Sequence, residues 1–150
     1  ICSMMCPPYL KEKIMDKPQI YITDEEKINC RKVVDAFAEI FDFEDLVIVN
    51  AENYGFVKLQ YFKFPYGFDT ATAFFNSQSL FDDLWTEWLE TQLINLSVGT
   101  PMEEMDYGDI LKCMSKEKQK EFFDKRVYFA EKTGIKSILD DTMQRVAKAF

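Results

Sequence analysis

Between Phe64 and Leu111 the chain carries no lysine or arginine, yet it holds Asp69, Asp82, Asp83, Glu87, Glu90, Glu103, Glu104, Asp106 and Asp109. In the middle of this block lies Leu80-Phe-Asp-Asp-Leu-Trp-Thr-Glu-Trp-Leu-Glu-Thr-Gln-Leu-Ile-Asn-Leu96, where Phe81, Leu84, Trp85, Trp88, Leu89, Leu93 and Leu96 recur at the spacing of one helical stripe. Large aromatics on a stripe have to be buried, since each one removed from water contributes about 1.5–3 kcal/mol of transfer free energy. The segment therefore predicts a helix that organises the core with one face, both tryptophans included. Its other face displays Asp82, Asp83, Glu87 and Glu90. Ser79 is the expected N-cap, Asp82 stands at the capping-box position, and Gly99 is the expected stop.

The formal charge of −8 is local to this block: nine of the 26 acidic residues and none of the 18 basic ones fall within it, so the rest of the chain is close to neutral. A sequence pI near 4.6 argues against nucleic-acid binding, which needs Lys and Arg gathered on one face, and favours a basic partner. Hydrophobic residues make up 47% of the chain and aromatics 15%, enough for a core without disulfide or metal staples. One domain spanning residues 1–150 is expected, with an irregular N-terminal arm over 1–18. No apolar run reaches the roughly 18–20 residues of a membrane span. The chain begins at Ile1 rather than Met, which leaves a preceding targeting segment open.

Taken in order, Thr23-Asp24-Glu25-Glu26 is a capping box that opens a helix whose buried stripe is Cys30, Val33, Val34, Phe37, Ile40 and Phe41, ending near Phe41 or Asp42. Leu46–Val49 and Gly55–Phe64 read as paired strands, with Val57, Leu59 and Tyr61 on the core side and Lys58, Gln60, Phe62 and Phe64 on the other. Pro65-Tyr66-Gly67 breaks the second strand, and Thr70–Phe75 supplies a third. After the loop Met102–Asp106 come a short helix over Tyr107–Cys113 and a helix over Lys116–Lys132, capped by Ser115 and stopped by Gly134, with Phe122, Phe123, Phe129 and Ala130 inward. A terminal helix opens at the Ser137 capping box, with Ile138, Leu139, Met143, Val146, Ala147 and Phe150 at helical spacing. The expected fold is a helix-rich α+β class: a small antiparallel sheet of two to three strands packed with four to five helices.

The chain has no histidine, which removes Ser-His-Asp and Cys-His catalysis and His-ligated metals, and it has no glycine-rich phosphate loop. Four scattered cysteines form neither a disulfide framework nor a zinc spacing, and reduced thiols in the cytoplasm are expected. No cofactor is implied. Glu103, Glu104, Asp106 and Asp109 offer carboxylates to a hard cation, but without the spacing or glycine of a calcium loop. The expected partner-binding set is Asp82, Asp83, Glu87, Glu90, Glu103, Glu104, Asp106 and Asp109, with Phe62, Phe64 and Tyr66 as aromatic anchors beside them. Charge reversal at Asp83, Glu87 or Glu90 is expected to weaken binding without unfolding the domain. The alternatives are a carboxylate-based domain or enzyme that binds a divalent cation, and a protein that self-associates through an apolar surface.

The runs Lys32-Val-Val-Asp-Ala-Phe-Ala-Glu39, Asn53-Tyr-Gly-Phe-Val-Lys-Leu-Gln-Tyr61, Leu80-Phe-Asp-Asp-Leu-Trp-Thr-Glu-Trp-Leu89 and Gly99-Thr-Pro-Met-Glu-Glu-Met-Asp-Tyr107, with the closing Lys116–Phe129, together resemble small bacterial immunity proteins of the contact-dependent growth inhibition type. The resemblance implies a cytosolic protein, not an enzyme, that binds and blocks a cognate toxin domain, often a nuclease. Members of that family share no common set of functional residues, so it assigns none here.

Overall fold

The computed structural model describes residues 22–41, 46–61 and 67–150. The expected arm over 1–18 lies outside them, as do Phe62, Phe64 and Tyr66. The described residues form five helices and a three-stranded antiparallel sheet, the helix-rich α+β arrangement expected from the periodicities.

Helix α1 (Asp24–Phe37) opens as the capping box requires on one side only: Thr23 Oγ1 accepts the Glu26 N–H at 3.1 Å. Glu26 does not reach back. Its carboxylate instead accepts the backbone N–H of Ser77 at 2.9 Å, so this acid satisfies a free donor at the start of a different helix. Cys30, Val33, Val34, Ala36 and Phe37 are buried. The regular helix stops at Phe37, short of the expected end near Phe41, but Ile40 and Phe41 still donate to Phe37 O, and that turn keeps these last two members of the expected stripe against the core.

Strands β1 (Leu46–Asn50), β2 (Phe56–Tyr61) and β3 (Phe68–Phe74) run in spatial order β1-β2-β3. A short 3-10 turn, Glu52–Tyr54, joins the first two. Gly55 closes it at φ +89°, and a Cβ there would fall 2.2 Å from Phe74 O, so the close approach of β3 excludes any side chain.

The register reverses the expected faces of the sheet. Leu46 pairs with Gln60, Ile48 with Lys58, and Phe56 with both Asn50 and Phe74. This is the face turned inward, with Leu46, Phe56, Lys58 and Phe74 all buried. Val57 and Leu59, expected to be core, lie on the outer face and are only half-buried. Alternation in Val-Lys-Leu-Gln favoured the aliphatic side. The phenylalanines at the strand ends and the acids waiting on the facing helix decided for the other.

That helix is α2 (Ser77–Ser97), which at 21 residues is about 30 Å long. Its N-cap is Asn76 rather than Ser79: Asn76 Oδ1 accepts the Ser79 N–H at 2.8 Å. Leu80, Phe81, Leu84, Trp85 and Leu93 are buried, and Trp88 and Leu89 pack beside them, while Leu96 faces outward. Gly99, at φ +77°, turns the chain away from the helix end.

Helices α3 (Tyr107–Cys113), α4 (Lys116–Thr133) and α5 (Lys136–Ala149) complete the fold. Ser115 Oγ caps α4 by accepting the Lys118 N–H at 3.1 Å. Gly134 ends it in the left-handed conformation, donating to Ala130 O and Glu131 O. The cap of α5 is Ile135, not Ser137, and its buried stripe narrows to Ile138 and Thr142; Met143 and Phe150 are exposed. At the centre, Phe37 stacks on Phe129 at 4.6 Å and meets Phe81 edge-on at 5.2 Å, and Trp88 stands edge-on to Phe122 and Phe129. Outside the core, Glu39 in the turn after α1 accepts the Tyr128 hydroxyl and pairs with Lys132, tying that turn to α4.

Cys30 lies fully inside, and burial, followed by the charge of Glu26, pushes its thiol up to about 12, whereas Cys113 is exposed. At about pH 8 iodoacetamide should alkylate Cys113 and leave Cys30 untouched until denaturant is added, as read by peptide mass mapping. Native labelling of Cys30 would show that the α1 face is not closed.

Candidate partner-binding surface

The acids expected to form one display face separate into an interior group and an exterior one. Asp82 belongs to the interior. Its Oδ1 accepts Arg126 Nη2 at 2.8 Å, and its Oδ2 accepts Arg145 Nη2 at 3.1 Å. Asp141 of α5 accepts the same Arg126 nitrogen at 3.0 Å, together with Arg145 Nε at 3.1 Å and Gln78 Nε2 at 3.0 Å. Arg126 is 0% exposed, and its guanidinium lies 5.0 Å from the Phe81 ring centroid and 5.7 Å from that of Trp85. Its Nε and Nη1 have no hydrogen-bond acceptor, so the ring faces are what they meet. One buried cation thus joins α2, α4 and α5.

Asp83 turns to the sheet. Lys58 Nζ, from a residue only 4% exposed, meets Asp83 Oδ2 at 2.5 Å and lies 3.7 Å from Glu87 Oε2. Gln60 Nε2 donates to Glu87 Oε1 at 2.6 Å, and Gln60 Oε1 accepts from Thr70 Oγ1 at 2.8 Å, so polar partners run from the helix across β2 to β3. Charge reversal at Asp83 or Glu87 would set a cation against buried Lys58 and disturb folding before binding, contrary to the sequence expectation. Glu90 has no such partner among the described residues: burial first, then Glu87 and Asp83, push its carboxyl above the usual range, with Lys58 opposing.

Glu103, Glu104, Asp106 and Asp109 are exposed, and none of them forms an ion pair among the described residues. The loop that carries them is nonetheless fixed. Thr100 Oγ1 donates to Ser97 O at 2.6 Å and accepts the Met102 N–H at 3.2 Å, Met102 packs on the core, and Ile110 anchors α3. Three apolar side chains stand exposed among these acids: Val98 at 59%, Met105 at 44% and Tyr107 at 41%. Ile94, near the end of α2, is exposed as well. Acids outside any ion pair among the described residues and bare apolar side chains on a pinned loop have the composition of a protein-binding patch. Among the described residues, no three acidic or thiol side chains are grouped to hold a metal ion. No helix among them is long and apolar enough to cross a membrane.

Sequence reasoning missed Arg126, Lys58, Val98, Met105 and Tyr107. Arg126 had a visible signal, a cation between Phe122 and Phe129 on the apolar stripe of α4. The exposed apolar residues could be noticed as hydrophobic side chains inside an acidic loop.

Two outcomes follow from these pairings. Arg126→Ala empties a fully buried site beside Phe81 and Trp85, while half-buried Asp82 and Asp141 keep Arg145, and should cost about 2–5 kcal/mol in urea denaturation; Arg145→Ala, at a half-exposed position, should cost no more than about 1 kcal/mol. A raised folded-state pKa at Glu90 means that the fold prefers its protonated form. The associated stability is present below the ordinary carboxylate range and is lost as pH rises through the raised value. Glu90→Gln should therefore raise Tm near pH 7, with the advantage shrinking as wild type protonates toward about pH 3; a difference that does not vary with pH would contradict the assignment. In comparison with known proteins, the chain matches no family model, no curated protein and no solved structure.

Proposed function

We propose that this chain is a cytoplasmic immunity protein, a binding protein and not an enzyme, which neutralises a cognate toxin domain with a basic surface. The observation that carries this is the end of the molecule formed by the C-terminal end of α2, the loop after it and α3. There, among the described residues, Glu103, Glu104, Asp106 and Asp109 lack cationic partners and stand beside exposed Val98, Met105 and Tyr107. Unpaired acids of one sign raise the encounter rate with a basic surface, while desolvated apolar anchors supply most of the affinity. The resemblance of the Leu80–Leu89 and Gly99–Tyr107 runs to immunity proteins supports the same function. The acids of α2 contribute differently than the sequence suggested, because Asp82, Asp83 and Glu87 already have internal partners.

A second possibility, self-association, is favoured by the outer face of the sheet. Val47, Leu59 and Ala71 form one cross-strand row on it, and Val49, Val57 and Ala73 form the next, all of them apolar. A dimer in light scattering that dissociates on Val49→Lys would favour it.

The test of the main proposal is association with a toxin domain encoded beside its gene, followed at several salt concentrations. The on-rate should fall as salt rises, and joint reversal of Glu103, Glu104, Asp106 and Asp109 to Lys should lower it about tenfold or more while leaving Tm nearly unchanged. No association, or association indifferent to the reversal, would overturn it.

A further inference from the structure

Where α2 crosses the sheet, a cleft of about 520 Å³ opens between the helix, the turn after α1 and strands β1 and β2. Phe41, Leu46 and Trp88 form its apolar wall, and Gln60, Glu87 and Thr91 its polar one. We infer that this cleft receives the guanidinium of an arginine side chain presented by a basic protein partner, stacked on Trp88 and hydrogen-bonded to Glu87.

The chemistry of both walls selects such a group. Trp88 is held by its neighbours, with Trp85 at 5.1 Å and Phe122 and Phe129 edge-on at 6.0 and 6.3 Å. It is only half-buried, and it lines the cleft. A fixed indole offers the strongest side-chain surface for a cation. Glu87 lines the cleft; its Oε1 is engaged by Gln60, but among the described residues Oε2 has only the Lys58 ammonium at 3.7 Å, too long for a hydrogen bond, and so retains accepting capacity. Asp83, Glu87 and Glu90 follow one another at i, i+4 and i+7 on the helix, and among the described residues Lys58 is the cation that faces them. The local balance is therefore short of positive charge, which agrees with the raised carboxyl of Glu90. A planar guanidinium can stack on an indole while its edge meets a carboxylate, and an ammonium cannot do both.

The cleft also continues into the acidic end of the molecule. Glu87, Thr91, Ile94 and Val98 lie at i, i+4, i+7 and i+11, a single stripe about 16 Å long that leads from the cleft to the loop acids. One partner can cover both. The source of the arginine rests on the proposed function, whereas the affinity of the cleft for the group does not.

The full-length chain, labelled with nitrogen-15, should be titrated with N-acetyl-arginine amide at low salt, and with N-acetyl-citrulline amide as its neutral counterpart. The Trp88 indole resonance, assigned with Trp88→Phe, should shift saturably with the arginine derivative and not with citrulline. Glu87→Gln should weaken the binding about tenfold or more. Should Glu87→Gln disturb the fold, Thr91→Arg, a change at an exposed position on the rim, should fill the cleft and abolish the shift. Absence of a saturable shift, an equal response to citrulline, or undiminished binding by both variants would overturn the inference. Arginine binding by a chain that associates with no toxin domain would sustain the cleft and defeat the proposed function; toxin binding with an unresponsive cleft would do the reverse.

Discussion

Two buried cations fix the position of α2, and most of the remaining structure depends on where that helix lies. Asp82 and Asp83 are adjacent in sequence and so point about 100° apart around the helix axis. Arg126 holds the first from the side of α4, and Lys58 holds the second from the sheet. Rotation of α2 by one residue would leave Lys58 buried without its carboxylate and Arg126 with Asp141 alone, a far larger penalty than repacking aliphatic side chains. The aromatic stripe alone would tolerate several neighbouring arrangements, since the hydrophobic effect has no direction. The ion pairs reduce these to one, and their value lies in registration more than in net stabilisation.

The same pairing redistributes the charge of the molecule. A stretch without a single basic residue imports its counter-charges from elsewhere in the chain, from β2, α4 and α5. Neutralisation is selective. Among the described residues it covers the N-terminal half of α2 and stops short of the loop and α3, where Glu103, Glu104, Asp106 and Asp109 stand outside any ion pair beside exposed apolar groups. Glu90 lies between the two regions, partly buried and short of a counter-ion, and its raised carboxyl registers that boundary.

Local signals in the sequence were followed closely where they concerned backbone chemistry. Thr23, Ser115, Gly99 and Gly134 mark helix ends because a side-chain oxygen or a left-handed turn acts within a few residues of its own position. The capping boxes proved less dependable. Glu26 left its own helix to serve Ser77, and Asn76 and Ile135 displaced Ser79 and Ser137, since a donor has no preference for an acceptor nearby in sequence. Part of the candidate surface was legible too: the acids of the loop are exposed as expected, whereas its apolar members were hidden among them.

By itself, the sequence determined the kinds of elements found among the described residues, the aromatic side of α2, and the concentration of acids between Phe64 and Leu111. Periodicity and composition are local properties, and they need no partner to be read. Only the tertiary structure decided which face of the sheet is buried and which acids remain open to solvent. Both depend on pairings across 25 and 44 residues of chain, Lys58 with Asp83 and Asp82 with Arg126. A charge is costly to bury alone and acceptable beside its opposite, so its location cannot be known until the partner is found.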